Sequence, residues 1–276
     1  MAELRFDDRV AVITGAGRGL GRAYALLLAA RGAKVIVNDP GGAIRGEGGD
    51  AGPAADVVAE IKTLGGEAVA CTESVATPEG GRAIIDCALD HFSRIDMLIH
   101  NAGNVRYGSM QELSQDDFDA VLDVHLRGAF HVARPAFPIM CRAGCGRIVL
   151  TSSIGGLYGN ANCVNYAMSK SGMIGLNNIL ALEGEAHGVR SNIIVPGAVT
   201  RMAEGIDVSA YPPMGPELVA PVFVAESKGV YQPDWSIEDV GSQIDAIMDS
   251  ADPLDFGLHG HVDHIRYSFE RAVAGA

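Results

Sequence analysis

The chain is 276 residues long, enough to bury a full core in one unit, and carries a formal net charge of −13 with 48% hydrophobic residues. That acidity argues against non-specific attraction to nucleic acid or anionic membrane, and no apolar run approaches the ~20 residues of a membrane span. Met1–Asp8 is charged and lacks the apolar stretch of a signal peptide, and the five cysteines form no Cys-x-x-Cys, so a cytoplasmic protein with reduced thiols is expected.

In chain order, Arg9–Thr14 reads as a buried strand that runs into the turn Gly15-Ala-Gly17-Arg18-Gly19-Leu20-Gly21 and an apolar helix over Arg22–Arg31. Glycines there permit a tight turn and let backbone N–H groups approach a pyrophosphate, which the positive end of the following helix also attracts. A glycine-rich turn alone is weak evidence. What strengthens it is a second strand, Lys34–Asn38, ending at Asp39, eighteen positions beyond Gly21, where a ribose-binding acid is expected. A carboxylate there accepts ribose hydroxyls and repels a 2′-phosphate, favouring NAD over NADP; Arg18 argues mildly the other way. Pro40–Gly49 is glycine-rich and reads as a mobile loop beside this site.

Further along, Asp96–His100 reads as a strand leading to Asn101-Ala102-Gly103, and Arg147–Thr151 as a strand ending just before Ser153. A helix starting near Ala161 places Tyr166 and Lys170, four residues apart, on one face. A free tyrosine titrates near pH 10, too high for a base at neutrality; an ammonium beside it favours the phenolate. The Ser153 hydroxyl, thirteen positions before the tyrosine, could bind a substrate oxygen where charge develops. Tyr-x-x-x-Lys by itself occurs on many solvated helices, and it is the company of the other motifs that gives it meaning. Alternation of strands and helices predicts a single-domain α/β fold over 1–276: a doubly wound, Rossmann-like parallel sheet of six or seven strands.

Taken together, these residues identify the chain as resembling the short-chain dehydrogenase/reductase family. Thr14, Gly15, Gly19 and Gly21 match its Thr-Gly-x-x-x-Gly-x-Gly turn, and Asn101–Gly103 its Asn-Ala-Gly motif, which flanks the adenosine side of the cofactor and supports the central strand. The resemblance implies a catalytic serine, tyrosine and lysine at Ser153, Tyr166 and Lys170, an adenine contact at Ser74-Val75, and a nicotinamide-holding loop at Pro196, Gly197, Val199 and Thr200. Leu4–Asp7, Gly21–Ala25, Val37–Gly42, Val124–Gly128 and Leu157–Asn160 resemble the (3R)-hydroxyacyl-CoA dehydrogenase part of peroxisomal multifunctional enzymes of type 2, with hydroxysteroid-active relatives. The implied substrate is a small molecule, a secondary alcohol on a bulky apolar frame, and the implied assembly is a homodimer or homotetramer built on the helices near Ser114–Cys141 and Ala161–His187, with Ala120–Leu122 and Ile174–Leu176 as apolar contacts.

Two departures stand out. His125 takes the place where most members have an asparagine whose backbone carbonyl holds a water beside the lysine; it reads as a tolerated substitution, with a titrating relay group as the alternative. Beyond the 1–202 core, residues 203–276 lack the usual Gly-Gly end, so either Val222–Val224 is a relocated last strand or the tail from Tyr231 covers its gap. His259, His261 and His264 cluster without metal-site spacing, and no metal is expected. Cys163 reads as a pocket-lining residue or a small buried apolar one. The expectation is an NAD-dependent oxidoreductase, against the alternatives of a hydroxysteroid or xenobiotic alcohol dehydrogenase and of a non-catalytic NAD-binding scaffold.

Overall fold

The computed structural model describes residues 5–201 and 215–220. Its strands are β1 (Val10–Thr14), β2 (Lys34–Asn38), β3 (Glu67–Cys71), β4 (Met97–His100), β5 (Gly146–Thr151) and β6 (Val189–Ile194). They form one parallel sheet in the order β3-β2-β1-β4-β5-β6. Short, fully apolar strands such as Val10–Ile13 and Met97–Ile99 are buried on both faces, as a sheet covered by helices on each side requires. The doubly wound α/β fold expected from the alternation of elements is therefore present, with the order reversing between β1 and β4. The proposed strand at Val222–Val224, the tail from Tyr231 and the histidines at 259, 261 and 264 lie outside the described residues.

The helices are α1 (Gly19–Ala30), α2 (Gly52–Thr63), α3 (Pro78–Phe92), α4 (Gln115–Leu122), α5 (Gly128–Ala143), α6 (Ile154–Tyr158) and α7 (Val164–Gly184). Their starts follow local chemistry. Thr77 caps α3 by accepting from the Gly80 N–H, with Pro78 in the first turn, and Ser114 caps α4 by accepting from the Asp117 N–H. Two apolar clusters, one on each face of the sheet, make up the core: α1 and α2 pack on one side with Phe6, Ile13, Leu28 and Ile61, and α3, α5 and α7 on the other with Ile84, Val132, Met140 and Met173. Val219 and Ala220 pack against the first cluster.

Where a single long helix is expected over 114–141, the chain instead inserts a π turn, Asp123–Arg127, between α4 and α5. The extra residue rotates the helix face so that His125 points inward, fully buried. The glycine-rich segment after β2 is also unlike the expected mobile loop. Asp50 N–H donates to the Pro40 carbonyl at 2.9 Å, Ala43 N–H to Glu47 at 2.9 Å, and Val105 N–H to the Ile44 carbonyl at 3.0 Å, pinning the loop to the segment that follows β4. Arg45 and Arg106 both pair with Asp117, at 3.3 and 2.9 Å.

One buried carboxylate sets the start of β4. Asp96 accepts from Arg9, from both Arg94 nitrogens and from the Val10 N–H, all within 2.6 to 2.9 Å. Burial alone would raise its pKa, but these donors outweigh it and hold the carboxyl below its ordinary value. The stability it contributes is complete above the unfolded carboxyl value of ~3.9 and is lost as pH falls through the depressed folded value. Asp96→Ala should lower unfolding free energy by about 2 kcal/mol at pH 7, mainly from the stranded Val10 N–H, because both arginines reach solvent; denaturant unfolding at pH 7 and pH 3 should show the difference shrinking with acid.

Candidate active site

The C-terminal ends of β1, β4, β5 and β6 meet at the order reversal, where an open α/β sheet leaves a crevice. The first side of the crevice is the glycine turn. The Thr14 hydroxyl oxygen accepts from the Asn101 and Ala102 N–H groups, both at 3.1 Å, and the Asn101 side-chain amide donates back to the Gly15 carbonyl at 3.1 Å. Gly15 and Gly19 adopt φ of +64° and +54°, where a side chain is strained. A Cβ at Gly21 would strike the Gly15 carbonyl and the Asn101 amide, so the turn closes on α1 only with glycine there. Leu20 packs against the first core cluster, fixing the helix start.

Asp39 follows β2 and closes the turn from below. Its carboxylate accepts from the Gly17 N–H at 2.9 Å and the Gly41 N–H at 2.7 Å. The Arg18 guanidinium turns to the Gly42 carbonyl at 3.3 Å. Arg201, absent from the sequence expectations, is held where Arg18 and Asp39 both act on it electrostatically. Thr200 lies over the turn, so that a Cβ at Gly19 would meet its Cγ2 at 3.4 Å, and Pro196, Gly197 and Val199 share that loop. Ser74 and Val75 sit between α3 and α5: Ser74 Oγ accepts from the Ala76 N–H at 3.2 Å, and His131 Nδ1 approaches the Val75 carbonyl at 3.0 Å.

Across the crevice, Ser153 caps α6 by accepting from the Gly155 N–H at 3.1 Å and hydrogen-bonds with the Tyr166 phenol. Tyr166 and Lys170 lie one turn apart on α7, with the Lys170 nitrogen 5.7 Å from the tyrosine ring centroid. The ammonium donates to the Thr151 carbonyl at 2.7 Å. Full burial lowers Lys170 to about 7, since a desolvated ammonium is costly. Burial pushes Tyr166 up, and the bond to Ser153 pulls it partly back. Without a further positive charge the phenol is thus the neutral acid at pH 7.

Asn165, next to the tyrosine, was not singled out by its sequence pattern. Its side-chain amide donates to the carbonyls of Arg106 and Asp117, both at 3.0 Å, and its oxygen accepts from the Tyr166 N–H at 2.8 Å. It therefore locks the first turn of α7 to the segments after β4. Cys163 is buried, as the second of its two expectations has it, and donates to the Asn160 carbonyl at 3.1 Å.

The His125 ring meets the Tyr166 ring edge-on with centroids 5.3 Å apart. Burial, then the Lys170 charge, hold it neutral well below its usual range, which removes the basis for a relay group titrating near neutrality. Its backbone carbonyl accepts from His100 Nε2 at 2.9 Å and from the Gly128 N–H, so both lone pairs of the oxygen expected to hold a water are engaged. Gly103 presses on the same ring: an added Cβ would lie 2.5 Å from His125 Cε1. Gly103→Ala should cost about 2 kcal/mol by overpacking, and the smaller ring-free side chain of His125→Asn in the double variant should recover more than half of it, as read by thermal unfolding.

The short chain dehydrogenase family model matches residues 9–208. Peroxisomal multifunctional enzyme type 2 of Drosophila melanogaster is 47% identical over 246 residues, covering 88% of this chain but 40% of that protein. The chain thus spans less than half the length of that relative. A 3-oxoacyl-[acyl-carrier-protein] reductase of Synechocystis is 39% identical over 201 residues, covering 72% of this chain and 78% of the relative. The crystal structure of a short chain dehydrogenase from Mycobacterium avium superposes with a TM-score of 0.71 at 35% identity, covering 90% of this chain and 97% of that one. The chain belongs to the short-chain dehydrogenase/reductase family.

Proposed function

We propose that this protein is an NAD-dependent oxidoreductase that interconverts a secondary alcohol and its ketone, acting on a 3-hydroxyacyl thioester, the CoA ester first among them. The observation that carries this reading is the grouping at the end of β5: the Tyr166 phenol bonded with Ser153, and a buried Lys170 ammonium behind the same ring. Around it, Tyr107, Met110, Val195 and Val199 on the loops after β4 and β6 and Leu157 on α6 are exposed apolar residues, a rim suited to a long apolar chain. The Synechocystis relative is named for a 3-oxoacyl thioester, which supports the same substrate class.

The residues fit a nicotinamide dinucleotide. Two backbone N–H groups use two of the roughly four acceptor positions of the Asp39 carboxylate, leaving capacity for a pair of ribose hydroxyls. The N–H-rich turn over Gly15–Gly21 at the start of α1 suits a pyrophosphate, Ser74, Val75 and Asn101–Gly103 would border the adenosine, and Pro196, Gly197, Val199 and Thr200 the nicotinamide end. When bound in its oxidised form, the dinucleotide supplies the hydride acceptor and a positive charge. Ser153 binds the substrate oxygen, Tyr166 takes the hydroxyl proton, and Lys170 holds the developing phenolate from 5.7 Å behind the ring. In the reverse direction the same tyrosine, neutral at pH 7, donates the proton to the ketone.

Association is part of the proposal. Val121 and Met173 are core residues, but Phe130 on α5 and Met168, Ile179 and Leu182 on α7 are half or more exposed, and they favour a homodimer or homotetramer pairing these helices. We place the protein in the cytoplasm or another reducing compartment because its cysteines are free; among the described residues no helix is long and apolar enough to cross a membrane.

Three outcomes test the reading. Tyr166→Phe should lose at least about a hundredfold in kcat while binding NADH within about threefold of wild type by fluorescence; substantial retained turnover contradicts the assignment. Asp39→Ala should shift the NADH-to-NADPH affinity ratio by about tenfold or more toward NADPH, because the carboxylate that repels a 2′-phosphate is gone and Arg18 and Arg201 remain. A rate comparison on 3-hydroxyacyl-CoA, hydroxysteroids and simple secondary alcohols should favour the thioester; steroid turnover alone would move the assignment to the hydroxysteroid branch, and binding without turnover on any of them to a scaffold.

A further inference from the structure

His100, the last residue of β4, is buried and has a partner at each ring nitrogen: Nδ1 lies 3.1 Å from Thr14 Oγ1, and Nε2 lies 2.9 Å from the His125 carbonyl. The roles of these atoms follow by elimination. The Thr14 oxygen has two lone pairs, and the Asn101 and Ala102 N–H groups, both at 3.1 Å, occupy them. Thr14 can therefore meet His100 only as a donor, which leaves Nδ1 as the acceptor. A carbonyl can only accept, so Nε2 carries the proton. One tautomer of a neutral imidazole satisfies all four contacts.

This ring connects two pieces of the site that are far apart in sequence. At one end is Thr14, which orders the glycine turn and the Asn101–Gly103 segment. At the other is the π turn, whose backbone is one residue out of register with α4 and α5 and whose His125 ring lies edge-on against Tyr166. A π turn is locally strained relative to an α-helix and persists where surroundings hold it. The bond from His100 Nε2 to the carbonyl at its centre is such a hold. The Val124 carbonyl faces the same ring.

We propose that His100 is a positioning residue for the reaction: locked with its proton on Nε2, it ties the glycine turn to the π turn and keeps His125, and through it the Tyr166 ring, in register with Ser153 and Lys170. The proposal rests on Tyr166 being the acid/base of the preceding section. Among the described residues, the titratable groups acting on His100 are Lys170 from α7 and His125 from the π turn; burial and then the Lys170 charge bring its pKa to about 3. It does not titrate in the working range and acts by geometry.

The experiment has two independent arms. In protein labelled with ¹⁵N-histidine, the His100 resonances, assigned by their loss in His100→Gln, should show a fixed Nε2–H tautomer from about pH 5 to 8; an Nδ1–H tautomer or a titrating ring overturns the proposal. This arm needs no folded loss-of-function variant. In the second arm, His100→Leu should lower kcat by about tenfold to a hundredfold, the scale of a catalytic group displaced by an ångström, and shift the pH profile of kcat. NADH affinity should change less than about threefold, since both amide bonds to Thr14 persist, and His100→Gln, whose amide can accept from Thr14 and donate to His125, should recover most of the rate. A folded His100→Leu with unchanged kcat and pH profile, beside an inactive Tyr166→Phe, overturns this proposal alone; an active Tyr166→Phe overturns both readings.

Discussion

A lysine ammonium buried in the body of an acidic protein is the constraint around which the rest of the site is organised. Lys170 is buried, and burying an ammonium without compensation is costly. The Thr151 carbonyl at the end of β5 and the π face of Tyr166 are what the fold offers it. His100 and His125 are neutral rings, Asn104 and Thr151 are uncharged, and the carboxylates of the site, Asp39 and Asp117, are kept at the other side of the crevice or in ion pairs with arginines. A cation with few partners stabilises any negative charge that forms beside it, and the phenol oxygen is where such charge can form.

The sheet supplies the rigidity this arrangement needs. Several groups of the site stand within a few residues of a strand end, Thr14 and Asn101 at β1 and β4, Thr151 and Ser153 at β5 and Thr200 after β6, while Tyr166 and Lys170 come from α7. Parallel strands deliver these ends to one edge, and helix starts placed there direct N–H groups into the same space. Cross-bonds between loops then fix the outer layer. Asn165 ties α7 to the segments at 106 and 117, and the glycine-rich loop after β2 is tied to 105 and 106 in turn. The catalytic helix and the adenosine-side loop are therefore parts of one hydrogen-bonded frame.

What could be read from the sequence was chemistry that is contiguous. The glycine turn, Asp39 at the end of β2 and the Tyr166–Lys170 pair each depend on spacing within one strand-turn-helix or one helix face, and all stand where their spacing places them. Contacts across long separations left no local trace. Thr14 meets His100 86 positions away, Asn165 meets Arg106 59 positions away, and Asp39 acts electrostatically on Arg201 in the loop after β6. The Tyr166–Lys170 spacing puts the start of α7 near Ala161, a few residues early, because it does not register that Asn162 takes φ of +64°, which no α-helix admits. The π turn was invisible for a related reason: one inserted residue changes the helix phase without changing composition. The loop after β2 was read as mobile from its glycines, but its order comes from backbone bonds that any sequence of the right shape can make.

We propose that Tyr166 is a neutral acid in the cofactor-free protein and becomes ionisable when the positive nicotinamide binds beside it. Ultraviolet difference titration of tyrosinate, wild type minus Tyr166→Phe, with and without NAD, measures this directly. The account predicts an apparent pKa above the ordinary tyrosine value of ~10 in the free protein and a shift downward by at least about one unit with NAD bound. A Tyr166 that titrates at the ordinary value, unmoved by NAD, would contradict it.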